Sequence, residues 1–213
     1  MLKKATILAG LILAVGAMPL LADDLYPPPW RGQPGTTMQE WTFSVDNRNP
    51  PPDVVNNPYG MPAMTIMPFP LLPGWYASYG VPLPRQGVYP LSGQIDIDIP
   101  NAPLTNEFKE IWIQLVWTPD PLIPTGKPTI LITAPGSLVT SSTVLYESCV
   151  GDPWNYTEWE YILKPNPTTE HIRITGDILV DQLVIDTRCA PEPATLALLG
   201  LGGLGMLFRR KRS

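Results

Sequence analysis

Apolar and polar side chains alternate one by one along much of this 213-residue chain. Ile95, Ile97 and Ile99 share one phase with polar residues between them, the period-two pattern of a strand with one buried face. Runs of this kind cover residues 41–45, 94–99, 108–117, 129–133, 142–148, 157–163, 170–175 and 178–187, and turn residues such as Pro135-Gly136 separate them. Because many short strands with such turns are typical of antiparallel architectures, we predict an all-β fold, a single antiparallel β-sandwich.

The last run changes phase in its middle. Ile178 and Val180 lie on one parity, whereas Leu183 and Ile185 lie on the other. A β-bulge at 181–182 would return both pairs to the core face, and a strand covered on both faces is the alternative. This stretch, with Asp181, Ile185, Asp186 and Thr187, resembles the last strand of a jelly-roll sandwich of the carbohydrate-binding-module type. The resemblance implies a jelly-roll-like topology.

The N-terminal 22 residues have the three parts of a secretory signal peptide. Lys3 and Lys4 are basic, the stretch that follows is apolar, and Ala22 offers a small side chain at the cleavage site. A cut after Ala17 is a second possibility. The alternatives are a membrane anchor or a buried helix, but the apolar run is shorter than the ~20 residues that span a bilayer. We predict that residues 1–22 are a signal peptide removed by signal peptidase.

The C-terminal 23 residues also have three parts in order. Pro191, Glu192 and Pro193 come first, residues 194–208 carry no charge, and the basic residues Arg209, Arg210, Lys211 and Arg212 follow. As a helix, 194–208 would be about 22 Å long, short of a ~30 Å hydrocarbon core but able to insert with local thinning. The basic tail would then stay on the cytoplasmic side.

This segment, 191–213, resembles the PEP-CTERM sorting signal. The resemblance implies processing by an exosortase, an integral-membrane enzyme of Gram-negative bacteria, and removal of the part that follows Pro-Glu-Pro. It also implies export across the inner membrane, transient tethering by the apolar helix, and release to the cell surface or extracellular matrix.

The remaining residues, 23–190, are enough for one domain with its own core. They contain 25 of the 28 prolines, and many of these lie among aromatic residues before position 91, which favours loops packed on a core over a disordered linker. They also contain 18 acidic and 8 basic residues, a net charge of −10. This charge argues against nucleic acid or anionic membrane as a partner of the mature protein.

The two cysteines of the chain are Cys149 and Cys189. An exported chain meets an oxidising compartment, so we predict a disulfide between them. The alternative is two separate thiols, since a bridge requires Cα atoms within ~7 Å.

Residues with catalytic or metal-binding chemistry are few. His171 is the only histidine, and its phase places it on the solvent face of a strand, so we predict no catalytic group, no enzymatic activity and no cofactor. Asp96 and Asp98 share one strand face about 7 Å apart. They are candidates for a site for a hard cation such as calcium, or they simply keep that face soluble.

Trp112 lies opposite the core face of its run, between Glu110 and Gln114. An aromatic plate beside polar side chains suits stacking on a sugar ring, which makes these residues a candidate glycan-binding site. Alternatively, the proline-rich loops cover Trp112 and it is buried.

We therefore predict an exported protein of the cell surface or extracellular matrix with a non-catalytic structural or adhesive role. The first alternative is a carbohydrate-binding module that recognises polysaccharide through exposed aromatic side chains. The second alternative is a jelly-roll polysaccharide hydrolase or lyase, which the single histidine and the lack of an acid/base cluster disfavour.

Overall fold

The computed structural model describes residue 24 and residues 26–67, 74–81, 84–91, 93–102, 108–151 and 153–190. The predicted signal peptide, 1–22, and the predicted sorting signal, 191–213, lie outside these residues. The described part contains twelve strands: β1 (Thr36–Trp41), β2 (Val54–Asn56), β3 (Ala63–Met67), β4 (Tyr76–Tyr79), β5 (Arg85–Leu91), β6 (Gln94–Pro100), β7 (Phe108–Pro119), β8 (Thr129–Thr133), β9 (Leu138–Cys149), β10 (Asn155–Lys164), β11 (Thr169–Thr175) and β12 (Ile178–Ala190).

The strands form two sheets in which every pair is antiparallel. The larger sheet has the order β2-β1-β12-β7-β10-β9, and β5 pairs with the start of β12 and with β4. The smaller sheet has the order β3-β6-β11-β8. The prediction of an all-β, sandwich-like fold is confirmed, whereas the jelly-roll topology stays a prediction.

The core lies between the two sheets and is built from the alternating residues of each strand. Ile95, Ile97 and Ile99 of β6 are fully buried, and residues of β7, β11 and β12 join them in one apolar cluster. The polar residues between them face outward, as the period-two pattern requires. Each sheet therefore presents a second, outer face, and the large one carries the candidate residues discussed below.

The phase change in the last run is a β-bulge. The pairing of β12 with β7 shifts between Val180 and Gln182, and Ile178, Val180, Leu183 and Ile185 are all buried in the core. This prediction is confirmed.

The prediction of a strand over 41–45 is wrong in its bounds. Strand β1 ends at Trp41, and Phe43 has a φ of 52°, a left-handed conformation that a bulky residue rarely adopts. This conformation still buries Phe43 beside Trp41 in the core, but Val45 is exposed. The alternation of apolar residues here belongs to an irregular segment after β1 and not to an extended strand.

The predicted disulfide is also wrong, because Cys149 and Cys189 are not joined by a bridge. Cys149 lies opposite Asn155, and that row of the sheet continues through Trp117 to Val180. Cys189 is nine residues further along β12, one of them in the bulge, so the separation along the strand direction alone is roughly 26 Å at ~3.3 Å per residue. This separation is far beyond the ~7 Å that a bridge allows.

Candidate ligand-binding surfaces

The predicted glycan-binding residues all project from β7 onto the outer face of the larger sheet. Glu110, Trp112 and Gln114 alternate with the core residues Ile111 and Ile113. Glu110 and Gln114 are buried on this face, and Trp112 is partly buried. The structure therefore brings the three residues together, but under a cover.

The cover is the N-terminal segment. The Trp30 indole donates a hydrogen bond to Glu110 Oε1 at 2.8 Å, and its ring meets Trp112 edge-on at a centroid distance of 6.0 Å. Arg188 donates to the other oxygen of Glu110 at 2.7 Å and lies over the Trp30 ring. The polar groups of Glu110 are thus occupied by the protein itself. Gln114 is occupied as well, since its Oε1 accepts a hydrogen bond from the Tyr156 hydroxyl at 2.7 Å.

Arg31 fastens the same segment to β12. Its Nε and one terminal nitrogen each donate to Asp186 at 2.6 Å, and it also pairs with Asp24. Asp186 is fully buried, and this burial raises its pKa to about 6 even though Arg31 acts to lower it. Two parallel charge-assisted hydrogen bonds of this kind are a strong and directional attachment.

Glu158 is a buried carboxylate of this face with one oxygen that accepts no hydrogen bond from the described part of the chain. It is only 3% exposed, and its Oε1 has no hydrogen-bond partner among the described residues. Burial, and then repulsion from Asp186 and Asp24, raises the pKa of Glu158 to about 7. Alternation along β10 places Glu158 on the outer face, and it is buried there because a segment from a remote part of the chain covers that face.

Asp96 and Asp98, the candidate cation ligands, lie side by side on the outer face of the smaller sheet. Asp96 accepts a hydrogen bond from Arg173 Nε at 2.7 Å, and the His171 ring lies within 3.2 Å of both carboxylates. Although partial burial acts to raise it, hydrogen bonds from Arg173 and Gln94 hold the pKa of Asp96 below its usual range. No group of three or more metal-ligating side chains occurs in the described part of the chain. The two aspartates are arranged here as partners of Arg173 and His171.

A small cleft lies between β4 and the turn that follows β7. Tyr76 and Tyr79 form one wall, Asp120, Pro121 and Leu122 form the other, and Pro90 and Leu179 complete the lining. Its volume is about 190 Å³. The sequence indicated only that these tyrosines pack on the core; no local pattern shows that β4 and the turn after β7 face each other.

Strand β9 is the exposed edge of the larger sheet. Among the described residues it pairs only with β10, and nearly all of its twelve residues are exposed on both faces. Bulges at Thr140 and Leu145 bend the strand without ending it. Long edges of this kind are sites where a further strand can add.

Comparison with known proteins identifies one segment. A family model of the PEP-CTERM protein-sorting motif matches residues 190–212, within one residue of the predicted bounds. No curated protein and no solved structure matches the chain. No helix in the described ranges is long and apolar enough to cross a membrane. The motif implies an exported protein of a Gram-negative bacterium that an exosortase processes at the membrane.

Proposed function

We propose that the mature protein, residues 23–190, is a non-catalytic structural component of the cell surface or extracellular matrix that assembles through β9. The sorting motif supports the location, since it directs the chain out of the cell. The observation that supports the structural role is the exposed edge of β9.

The chemistry of β9 favours association. Glu147 is its only charged residue, and it contains neither lysine nor proline, the residues that commonly protect an edge. Apolar side chains are exposed along it, among them Leu138, Val144 and Tyr146. A row of unpaired backbone groups flanked by apolar side chains favours strand addition over solvation.

The occupant that fits this edge is β9 of a second copy. Two identical strands that pair antiparallel around a two-fold axis present the same surface to each other. In a full-length overlap Glu147 of one copy lies opposite Thr140 of the other, so the two like charges do not meet. The larger sheets of the two copies then become one continuous sheet.

The test is the molar mass of the processed protein by light scattering after size exclusion, for the wild type and two lysine variants. Val144→Lys introduces charge on β9 at a position that is 53% exposed. Val54→Lys is the matched control, because Val54 is 49% exposed and lies on β2, at the opposite edge of the same sheet. We expect a dimer for the wild type and Val54→Lys and a monomer for Val144→Lys. A monomeric wild type, or equal behaviour of both variants, contradicts the proposal.

The second candidate function is recognition of polysaccharide. The covered position of Glu110 and Gln114 offers little to a ligand, whereas the cleft beside Tyr76 and Tyr79 is open and lined by aromatic side chains. This candidate therefore has its best support at the cleft and not at Trp112.

A further inference from the structure

We propose that the cleft between β4 and the turn after β7 binds one neutral pyranose ring of a polysaccharide. This inference names the site and the ligand class for the second candidate function, and it rests on that function. It does not depend on assembly through β9, because β12, β7 and β10 separate β5, the partner of β4, from β9.

The dimensions of the cleft limit what enters it. A volume of about 190 Å³ is below the ~300–1,000 Å³ of pockets for drug-sized ligands. The cleft therefore accepts a single sugar ring, and the rest of a polysaccharide chain stays in solvent. Leu122, which is 76% exposed, forms the rim over which such a chain passes.

The lining suits the two kinds of surface that a pyranose presents. Tyr76 and Tyr79 are inclined at 50° with ring centroids 5.4 Å apart, so they form an aromatic wall for the apolar C–H face of the ring. Burial, with a further contribution from the charge of Asp120, raises the pKa of both phenols. Both hydroxyls therefore stay protonated and can donate to sugar oxygens at neutral pH.

Asp120 supplies a fixed acceptor for sugar hydroxyls. Its Oδ1 accepts the Leu122 amide at 2.8 Å, and its own amide donates to the Asp177 carbonyl at 2.9 Å. The carboxylate is thus positioned by backbone contacts before any ligand arrives, which lowers the ordering cost of binding.

The charge of the lining selects a neutral sugar. No cationic side chain is among the described residues that line the cleft, whereas Asp120 contributes a carboxylate. Uronic acids and phosphorylated sugars would meet this carboxylate with no cation in the lining to pair with them. A proline-rich peptide also fits an aromatic groove. Unlike a sugar, however, it has no hydroxyl groups that donate hydrogen bonds to the fixed carboxylate of Asp120.

The test is isothermal titration calorimetry of the processed protein with four saccharides and one peptide. The saccharides are a gluco-, a manno- and a galacto-configured neutral tetrasaccharide and a tetragalacturonate. The peptide is proline-rich and represents the competing class of ligand. We expect binding of at least one neutral tetrasaccharide, no binding of tetragalacturonate, and no binding of the peptide. Binding of the peptide alone, or of none of the neutral sugars at millimolar concentration, overturns the proposal.

Three variants locate the site. Tyr79→Ala should weaken binding about tenfold, since it removes a stacking surface, whereas Tyr59→Ala, at a half-buried tyrosine in the loop between β2 and β3, should leave it unchanged. Leu122→Arg changes only the exposed rim, so the fold should be kept. Because the polysaccharide chain passes over this rim, the variant should also weaken binding. If Tyr59→Ala loses as much affinity as Tyr79→Ala, or if Leu122→Arg binds glycan as the wild type does, the assignment is overturned. A dimer that does not bind glycan contradicts the assignment of this cleft but not the assembly through β9. A monomer that binds glycan contradicts the assembly but not the cleft.

Discussion

Replacement of Glu158 by glutamine tests the energetics of the covered face of the larger sheet. The pKa of Glu158 is raised from 4.5 to about 7 by burial and by neighbouring carboxylates. One pKa unit corresponds to about 1.4 kcal/mol, so this carboxyl opposes folding by up to about 3 kcal/mol when it is ionised. Because the pKa is shifted upward, Glu158 opposes folding only at a pH high enough to ionise it.

The pH dependence follows from the two protonation states. Below pH 4.5 Glu158 is protonated in both the folded and the unfolded chain and contributes nothing. Between pH 4.5 and about 7 the unfolded chain releases this proton before the folded chain does, so the free energy of unfolding falls as the pH rises. Above about pH 7 the loss is complete.

The assay is urea unfolding of the wild type, Glu158→Gln and Glu147→Gln at about pH 4 and about pH 8. Glu158→Gln should be more stable than the wild type by up to about 3 kcal/mol at the higher pH and similar to it at the lower pH. Glu147, an exposed glutamate on β9, provides the control when the protein is measured below the concentration at which it dimerises, and its variant should then match the wild type within about 0.5 kcal/mol at both pH values. If the wild type and Glu158→Gln lose stability in parallel as the pH rises, the reasoning is refuted.

Three further predictions concern the thiols, the N-terminal segment and the sorting signal. The unreduced, unfolded protein should take up two iodoacetamide groups, and no uptake would show a bridge that the structure lacks. Arg31→Ala should lower the free energy of unfolding by about 3 kcal/mol, because it leaves Asp186 buried and unpaired; a loss below about 0.5 kcal/mol would contradict that attachment. The intact mass of protein from cells that contain an exosortase should lack the C-terminal part of residues 191–213, and a product that still carries Arg209–Ser213 would refute processing.

The sequence predicted the strands best where burial alone determines the pattern. Ile95, Ile97 and Ile99 alternate because one face of β6 meets the core, and the shift at Val180–Gln182 was visible because apolar residues change parity there. Trp41 and Phe43 misled the same reasoning, since the strand ends at Trp41 and a left-handed backbone conformation at Phe43 still buries that side chain. Period alone does not distinguish these two geometries.

The candidate sites were less predictable because they depend on contacts between remote segments. The outward direction of Trp112 followed from parity. Its contact with Trp30 and the attachment of that segment through Arg31 did not, because those residues are 80 and 155 positions from Glu110 and Asp186. The predicted disulfide was wrong for the same reason. Spacing along the chain does not show that Cys149 and Cys189 lie at opposite ends of the larger sheet.

Assembly through β9 is the central claim for the function, and amide hydrogen exchange along residues 138–149 tests it most directly. The processed protein should be measured below and above the concentration at which light scattering shows dimers. If β9 pairs with β9 of a second copy, its outward-facing amides exchange more slowly in the dimer, while the amides of β2 at the opposite edge are unchanged. Equal exchange of residues 138–149 in monomer and dimer would contradict the claim.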